Sequence, residues 1–277
     1  MGNSYPDRTN FNGVWKINEL SKNKITHNNF PRGSTRGICL AGALDPGNTN
    51  VIDFITIETT GNATDFGDTV RSTAAHQEAL TGLASTTRGV FGGGNPGINT
   101  MDYVTILSTG DSVDFGNLSA ARASPQGNAN DTRGLFAGGY SGGNLNVIDF
   151  ITIATLGNAT DFGDCSTSRY GGSYGCINSS VRSIFAAGTG NVIDTIEMFS
   201  TGNATDFGNL TVARKGVSGA SSRTRICFMG NHSPVGDTID YITTASAGNA
   251  TDFGNLTVAR GRGGSVSNGH GGLALTS

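Results

Sequence analysis

The eight residues GNATDFGN at 202–209 recur along the chain, and this recurrence decides the fold. The identical phrase stands at 248–255, GNATDFGD stands at 61–68 and 157–164, and a variant, GDSVDFGN, stands at 110–117. A catalytic centre needs one copy of its residues, whereas a structural joint needs one copy per module. Self-similarity at a fixed period is typical of repeat architectures, so the phrase indicates a modular chain.

Two further anchors recur with the same period. An aspartate opens an apolar phrase twelve residues before each D-F-G aspartate, and these leading aspartates are Asp53, Asp102, Asp149, Asp194 and Asp240. The D-F-G aspartates themselves are Asp65, Asp114, Asp161, Asp206 and Asp252. The next apolar phrase of each repeat opens with an arginine, and these are Arg36, Arg88, Arg133, Arg182 and Arg225. The period is 45 to 49 residues, and its variation falls in Gly/Asn/Ser-rich stretches typical of loops.

Each repeat is predicted to form four short strands. In VIDFITI at 51–57, β-branched and aromatic residues fall on both faces of the strand, which indicates a small sheet packed between two similar sheets. Four antiparallel strands and a period near 45 residues predict a blade of an all-β propeller. The chain holds five full repeats and a partial sixth, because GGLALTS at 271–277 copies the arginine-led strand. We therefore predict a closed ring.

Composition excludes several classes of protein. Only 14% of residues are charged, the formal net charge is −3 and no Lys/Arg cluster occurs, so the footprint of a nucleic-acid-binding protein is absent. No secretory signal and no apolar run of about 18 residues is present, which argues against a membrane span. The four cysteines form no C-x-x-C pair, and the four histidines fall at unrelated repeat positions. We therefore predict buried free thiols, no metal site and no cofactor.

The repeat resembles that of kelch propellers. The resemblance rests on RGVFGGG at 88–94, MDYVTI at 101–106 and DFGNLSAARAS at 114–124, although no repeat contains the tryptophan usual in kelch blades. A closer resemblance than that to kelch repeats is to the propeller-like repeats of virion and tail-associated proteins of marine bacteriophages of the cyanophage and pelagiphage type. It rests on the sequence TGNATDFGNLTVAR at 201–214 and on the leader FNGVWKINEL at 11–20. This resemblance implies a structural role on a virus particle.

The chain ends leave two ways of closing the ring. In one, the strand at 271–277 and an outer strand around Trp15 form a split sixth blade that hides the sheet edges. In the other, five blades close the ring and the N-terminal segment docks on a neighbouring protein. We divide the chain into a leader at 1–32 and a propeller at 33–277. The predicted docking residues of the leader, three of which recur at roughly helical spacing, are Val14, Trp15, Ile17 and Leu20.

The repeated charges are interpreted as structural anchors. A carboxylate inside an apolar strand must be paired or hydrogen-bonded, and a second set of arginines lies eight residues after the D-F-G aspartates, at Arg122, Arg169, Arg214 and Arg260. The first repeat has Thr73 at that position and Arg71 two residues earlier. The alternative is that the motif at 61–68 binds calcium through its oxygen ligands. The copies with Asn in place of Asp at 117, 209 and 255 disfavour this alternative, because Asn lowers the negative charge of the site.

The most variable loops, between the arginine-led strand and the I-D-F strand, are the candidate binding surface. Their predicted contact residues are Tyr140, Asn144, Asn231 and His232. The leading hypothesis is a non-enzymatic virion protein, made in the host cytoplasm and displayed in several copies on a tail, fibre or capsid. Its partners would be other virion proteins and a glycan or protein of the host surface. The alternative is a lectin or carbohydrate-active enzyme built on a propeller.

Overall fold

A computed structural model describes residues 36–44, 47–57, 59–71, 79–171, 173–175, 182–188, 190–222 and 224–262. The chain divides into two units, Met1–Gly33 and Ser34–Ser277, and every described residue belongs to the second. The predicted leader, with its docking residues, and the predicted strand at 271–277 lie outside the described residues. The boundary between leader and propeller therefore stays a prediction.

The described residues form nineteen β-strands and no helix. Five small sheets stand in a ring and form a five-bladed β-propeller, which confirms the predicted fold class. We number the blades in chain order. Blade 1 contains β1 Arg36–Leu44, β2 Gly47–Thr56 and β3 Thr64–Asp68. Blade 2 contains β4 Thr81–Ala84, β5 Arg88–Gly92, β6 Ile98–Thr105 and β7 Val113–Arg122. Blade 3 contains β8 Gln126–Ala129, β9 Arg133–Ala137, β10 Leu145–Thr152 and β11 Thr160–Arg169.

Blade 4 has three strands, and blade 5 has four with an additional short strand from an earlier part of the chain. Blade 4 contains β13 Arg182–Ala186, β14 Val192–Glu197 and β15 Thr205–Asn209, and blade 5 contains β16 Val217–Ser221, β17 Arg225–His232, β18 Val235–Thr243 and β19 Thr251–Asn255. Strand β12, Ser173–Gly175, precedes blade 4 in the chain but pairs in parallel with β16 of blade 5. The other strand pairs are antiparallel.

Amide side chains of blade 3 bond the inner edge of blade 4. The amide nitrogen of Gln126 donates to the carbonyl of Ala186 at 3.1 Å, and that of Asn128 donates to the carbonyl of Ile184 at 3.0 Å. Because β12 pairs elsewhere, these two buried side chains supply hydrogen bonds that an inner strand would otherwise make.

The apolar core lies between the blades. Four clusters of buried side chains each combine residues of two neighbouring blades, from blades 1 and 2 to blades 4 and 5. Between blades 2 and 3, for example, Val90 and Phe115 pack with Phe136 and Ile151. Both faces of blades 2 to 4 are thus covered by a neighbouring blade, which explains why their strands carry apolar residues on both sides.

The D-F-G phrase is a β-bulge. Opposite β10, Asp149 is the partner of Asp161 and Ile148 is the partner of Gly163, so Phe162 is an extra residue on β11. The same shift occurs opposite the leading aspartate in the other four blades. A bulge bends its strand and redirects the side chains around it, and here it turns the phenylalanine into the core between blades.

Candidate functional site

The repeated phrase forms the joint between neighbouring blades. At the junction of blades 2 and 3, the backbone N–H of Gly157 donates to the carbonyl of Phe115 at 2.9 Å, and that of Asn117 donates to Oδ1 of Asn158 at 3.0 Å. A Cβ on Gly116 would lie 2.4 Å from the carbonyl oxygen of Gly157, so no other residue fits without a shift of the backbone. The glycines allow the blades to approach, and the asparagine satisfies the backbone that the bulge leaves unpaired.

Four buried ion pairs reinforce these joints. Arg122 of blade 2 pairs with Asp149 of blade 3, and both side chains are excluded from solvent. The other pairs across described junctions are Arg71–Asp102, Arg169–Asp194 and Arg214–Asp240. Each arginine comes from the end of a D-F-G strand or just after it, and each aspartate comes from the I-D-F strand of the next blade. Arg71 makes this contact in the first repeat, where the aligned residue Thr73 lies outside the described residues.

The buried carboxylates accept further hydrogen bonds. Asp102 accepts from the hydroxyl of Thr69 at 2.8 Å and from that of Ser112 at 2.7 Å. Asp240 accepts from the hydroxyl of Thr211 at 2.7 Å and from its backbone N–H at 3.0 Å. These donors compensate the desolvation of the carboxylates, as a buried charge requires.

Electrostatics supports a structural role for these charges. Burial lowers the pKa of Arg122 and Arg214, and the neighbouring Asp149 and Asp240 oppose that shift because they stabilise the charged guanidinium. Removing one partner of a buried pair typically costs about 3–5 kcal/mol, because the other charge stays buried without compensation. The leading aspartates of blades 2 to 5 therefore serve the joints between blades.

The arginines that open the arginine-led strands reach across the junctions too. The guanidinium of Arg88 donates to the carbonyl of Ile153 at 2.8 Å and stacks 4.3 Å from the ring centroid of Tyr103. Three others donate in the same way, and the pairs are Arg36–Ile106, Arg133–Met198 and Arg182–Thr244. Blade 4 has a threonine instead of the stacking aromatic, and Arg182 there pairs with Glu197 at 3.0 Å.

The D-F-G aspartates are exposed and act locally. Oδ1 of Asp161 accepts the backbone N–H of Gly163 at 3.1 Å, and the same bond joins Asp65 to Gly67 and Asp206 to Gly208. This is a short turn made by the aspartate side chain, and it stabilises the bulge. Within the described part of the chain, no group of three or more His, Cys, Asp or Glu side chains is arranged to hold a metal ion.

Tyr140 is the most prominent candidate on the loop face, the end of the ring that carries the loops before each I-D-F strand. Its side chain is 42% exposed, and its ring lies 5.4 Å from that of Tyr170, at a tilt of 50°. Asn144 is half-buried and forms an isolated bridge with Tyr140. The sequence points to Tyr170 only indirectly, because it directly follows Arg169, the arginine eight residues after the D-F-G aspartate Asp161.

Asn231 and His232 lie on the same face but are engaged by the fold. Asn231 is buried, and its Oδ1 accepts the backbone N–H of Lys215 at 3.1 Å and that of Ser233 at 3.3 Å. His232 is half-buried, and its backbone N–H donates to the carbonyl of Lys215 at 2.9 Å. Tyr140 and Asn144 therefore offer more accessible side-chain surface than Asn231.

The described cysteines are free thiols in different environments. Cys165 is buried, and desolvation raises the pKa of its thiol to about 12. Cys39 is exposed and Cys227 is half-buried, so the expectation of burial holds for Cys165 and not for Cys39. No helix among the described residues is long and apolar enough to span a membrane.

Comparisons with known proteins support the fold and go no further. No protein-family model matches the chain, and no curated protein matches it. Among solved structures, the chain is similar to that of YjhT, with a TM-score of 0.66 over 84% of this chain and 84% of that one. The sequence identity is 10%, so the similarity shows the propeller fold alone.

Proposed function

We propose that this chain is a non-enzymatic architectural propeller displayed on a bacteriophage particle, on its tail, fibre or capsid. The leader at 1–32 anchors it to another virion protein, several copies are present, and the loop face is turned towards a glycan or protein of the host surface. The observation that carries the proposal is the use of the repeated charges, since four of the five leading aspartates pair with arginines inside the joints.

Two features of the sequence support the virion assignment. The phrase that forms the joints is the one that resembles the repeats of marine phage virion proteins. The chain is also poor in charge, with 14% of residues charged, and its hydrogen-bonding capacity lies mainly in Asn, Ser, Thr and backbone groups. An enzyme would need a set of convergent reactive groups in addition to the joints.

Immunogold electron microscopy of particles tests the proposal. Antibodies raised against the folded chain are applied to particles purified from a lysate of a host that produces it, with a particle-depleted lysate as the control. We expect gold at one fixed position on intact particles, in several copies per particle. Unlabelled particles together with abundant free chain in the depleted lysate would contradict the virion assignment.

Carbohydrate binding is the second candidate, because the Tyr140–Tyr170 pair offers exposed aromatic surface on the loop face. Aromatic rings of this kind stack on the apolar faces of sugars, and their hydroxyls supply polar contacts at the rim. Tyr140 lies in the loop between β9 and β10 of blade 3, and Tyr170 directly follows β11 of the same blade.

A glycan array with the wild-type chain and two variants tests this candidate. We expect Tyr140→Ala to lose about fivefold to thirtyfold in affinity for any glycan that binds, since one stacked aromatic contributes roughly 1–2 kcal/mol. The matched control is Phe199→Ala, which removes an aromatic that is more exposed, at 62%, from the opposite end of the strands. Equal binding by both variants would place the glycan elsewhere.

A further inference from the structure

Each joint brings together two different faces of neighbouring blades. One face of each kind forms no joint among the described residues. We call the side of a blade that presents its D-F-G strand the donor face, and the side that presents its G-N-A-T turn and I-D-F strand the acceptor face. Four junctions join a donor face to the acceptor face of the next blade. Among the described residues, the donor face of blade 5 and the acceptor face of blade 1 make no such junction, and we call this place the seam.

Solvent exposure marks both sides of the seam. Phe253 of blade 5 is 53% exposed, whereas the D-F-G phenylalanines of the other four blades are 2–3% exposed. Ile57 of blade 1 is 65% exposed, whereas its counterpart Ile153 is 1% exposed. A Cβ on Gly254 would meet nothing within 4 Å, whereas one on Gly116 would lie 2.4 Å from the backbone of the next blade.

The two faces nevertheless carry the residues that a joint uses. Blade 5 presents Arg260 and Asn255, and blade 1 presents Asp53, Gly61 and Asn62. These are the repeat positions that form the ion pair and the Gly-Asn hydrogen bonds at the other junctions. Within the described part of the chain, neither Arg260 nor Asp53 has an ion pair.

Two cysteines occupy matching positions on the two faces. Cys227 is the second residue after its arginine, like Val90, and Cys39 is the third, like Phe136. Val90 and Phe136 lie in one core cluster between blades 2 and 3. A joint at the seam would therefore bring the two thiols into the same small core.

The motifs that form the joints do not recur in the segments 1–35 and 263–277. Neither D-F-G nor G-N-A-T occurs in 1–35 or in 263–277. A sixth blade built from these segments would lack the residues that both faces of the seam require. The faces of blades 5 and 1, in contrast, are complementary in apolar side chains, hydrogen bonds and charge.

We propose that the donor face of blade 5 and the acceptor face of blade 1 bind each other within one molecule as a fifth joint. In this joint Arg260 pairs with Asp53, and the contact between blades 5 and 1 closes the ring. Closure removes Phe253, Ile55 and Ile57 from water, which is favourable. The two faces belong to one chain, so their effective concentration exceeds that of a second molecule.

A double-mutant cycle in the full-length chain tests the pairing. Asp53→Ala, Arg260→Ala and the double variant are unfolded in urea, and the equilibrium constants of unfolding are compared. We expect the equilibrium constant of unfolding of the double variant to be at least about tenfold smaller than the product of the two single effects implies. The matched control pairs Arg260→Ala with Asp252→Ala, an exposed aspartate of the same blade, and should show no coupling. Independent effects of Asp53 and Arg260 would overturn the proposal.

Alkylation of the native thiols tests closure without any substitution. The fifth joint predicts that Cys39 reacts with iodoacetamide at least about tenfold more slowly in the folded chain than in urea, equally at low and high protein concentration. Reaction of Cys39 at the unfolded rate would overturn the proposal. Protection seen only at high concentration would overturn it in favour of a second copy, and protection without coupling between Asp53 and Arg260 would overturn it in favour of the chain ends.

Discussion

At the scale of single residues, register separates two aspartates that look alike in sequence. Asp149 and Asp161 are direct partners across strands β10 and β11. Asp149 is buried and paired with Arg122, whereas Asp161 is exposed and bonds only the turn that follows it. The difference arises because Asp149 lies inside the sheet on β10, where Arg122 of the preceding blade reaches it, whereas Asp161 lies on the edge strand β11.

We expect Asp149→Asn to lower the free energy of unfolding by about 3–5 kcal/mol, because the substitution leaves the Arg122 guanidinium buried without a counter-charge. The matched control Asp161→Asn weakens one exposed hydrogen bond and should cost about 1 kcal/mol or less. Urea unfolding of both variants gives the comparison. Similar losses for the two substitutions would mean that the buried pair has no special role.

At the scale of the strand, the bulge explains why D-F-G is repeated as a unit. In blades 1, 3 and 4 the aspartate bonds the turn. In blades 1 to 4 the phenylalanine enters the core between blades, and the glycine approaches the next blade with φ between +137° and +145°. Residues with a Cβ rarely adopt this backbone conformation. Each residue of the D-F-G motif therefore has its own structural role.

Gly116→Ala should lower the free energy of unfolding by about 2–6 kcal/mol, since backbone strain and overpacking each cost about 1–3 kcal/mol. Gly116 has φ +137°, and its Cβ would lie 2.4 Å from the next blade. Gly143→Ala is the control, because that glycine has open space around it and should change stability by about 0.5 kcal/mol or less. Thermal or urea unfolding measures both. An unchanged Gly116→Ala variant would contradict the close approach of the blades.

Periodicity predicted the strands better than their connections. The arginine-led, I-D-F and D-F-G strands follow from β-branched and aromatic anchors at fixed spacing, and the structure contains them in all five blades. The pairing of β12 with blade 5 was not predictable, because a short Gly/Ser strand such as Ser173–Gly175 has no apolar pattern to set its partner. The bulge was not predicted either, since alternation alone does not reveal an extra residue.

At the scale of the whole molecule, stability is distributed over the junctions. Each blade is too small to bury its own apolar side chains, and the four clusters between blades replace a single central core. The sequence indicated that the charges pair, but the partner of each aspartate depends on which blade lies beside it. Arg71 could therefore be recognised as the partner of Asp102 only once the blades were placed.

The central claim is that the repeated phrase and its ion pairs join neighbouring blades. Hydrogen exchange measured by mass spectrometry on the wild-type chain and Asp149→Asn tests it most directly. The account predicts that β7 of blade 2 and β10 of blade 3 lose protection together, because the substitution removes the contact between them. Loss of protection confined to blade 3, with β7 as protected as in the wild type, would contradict it.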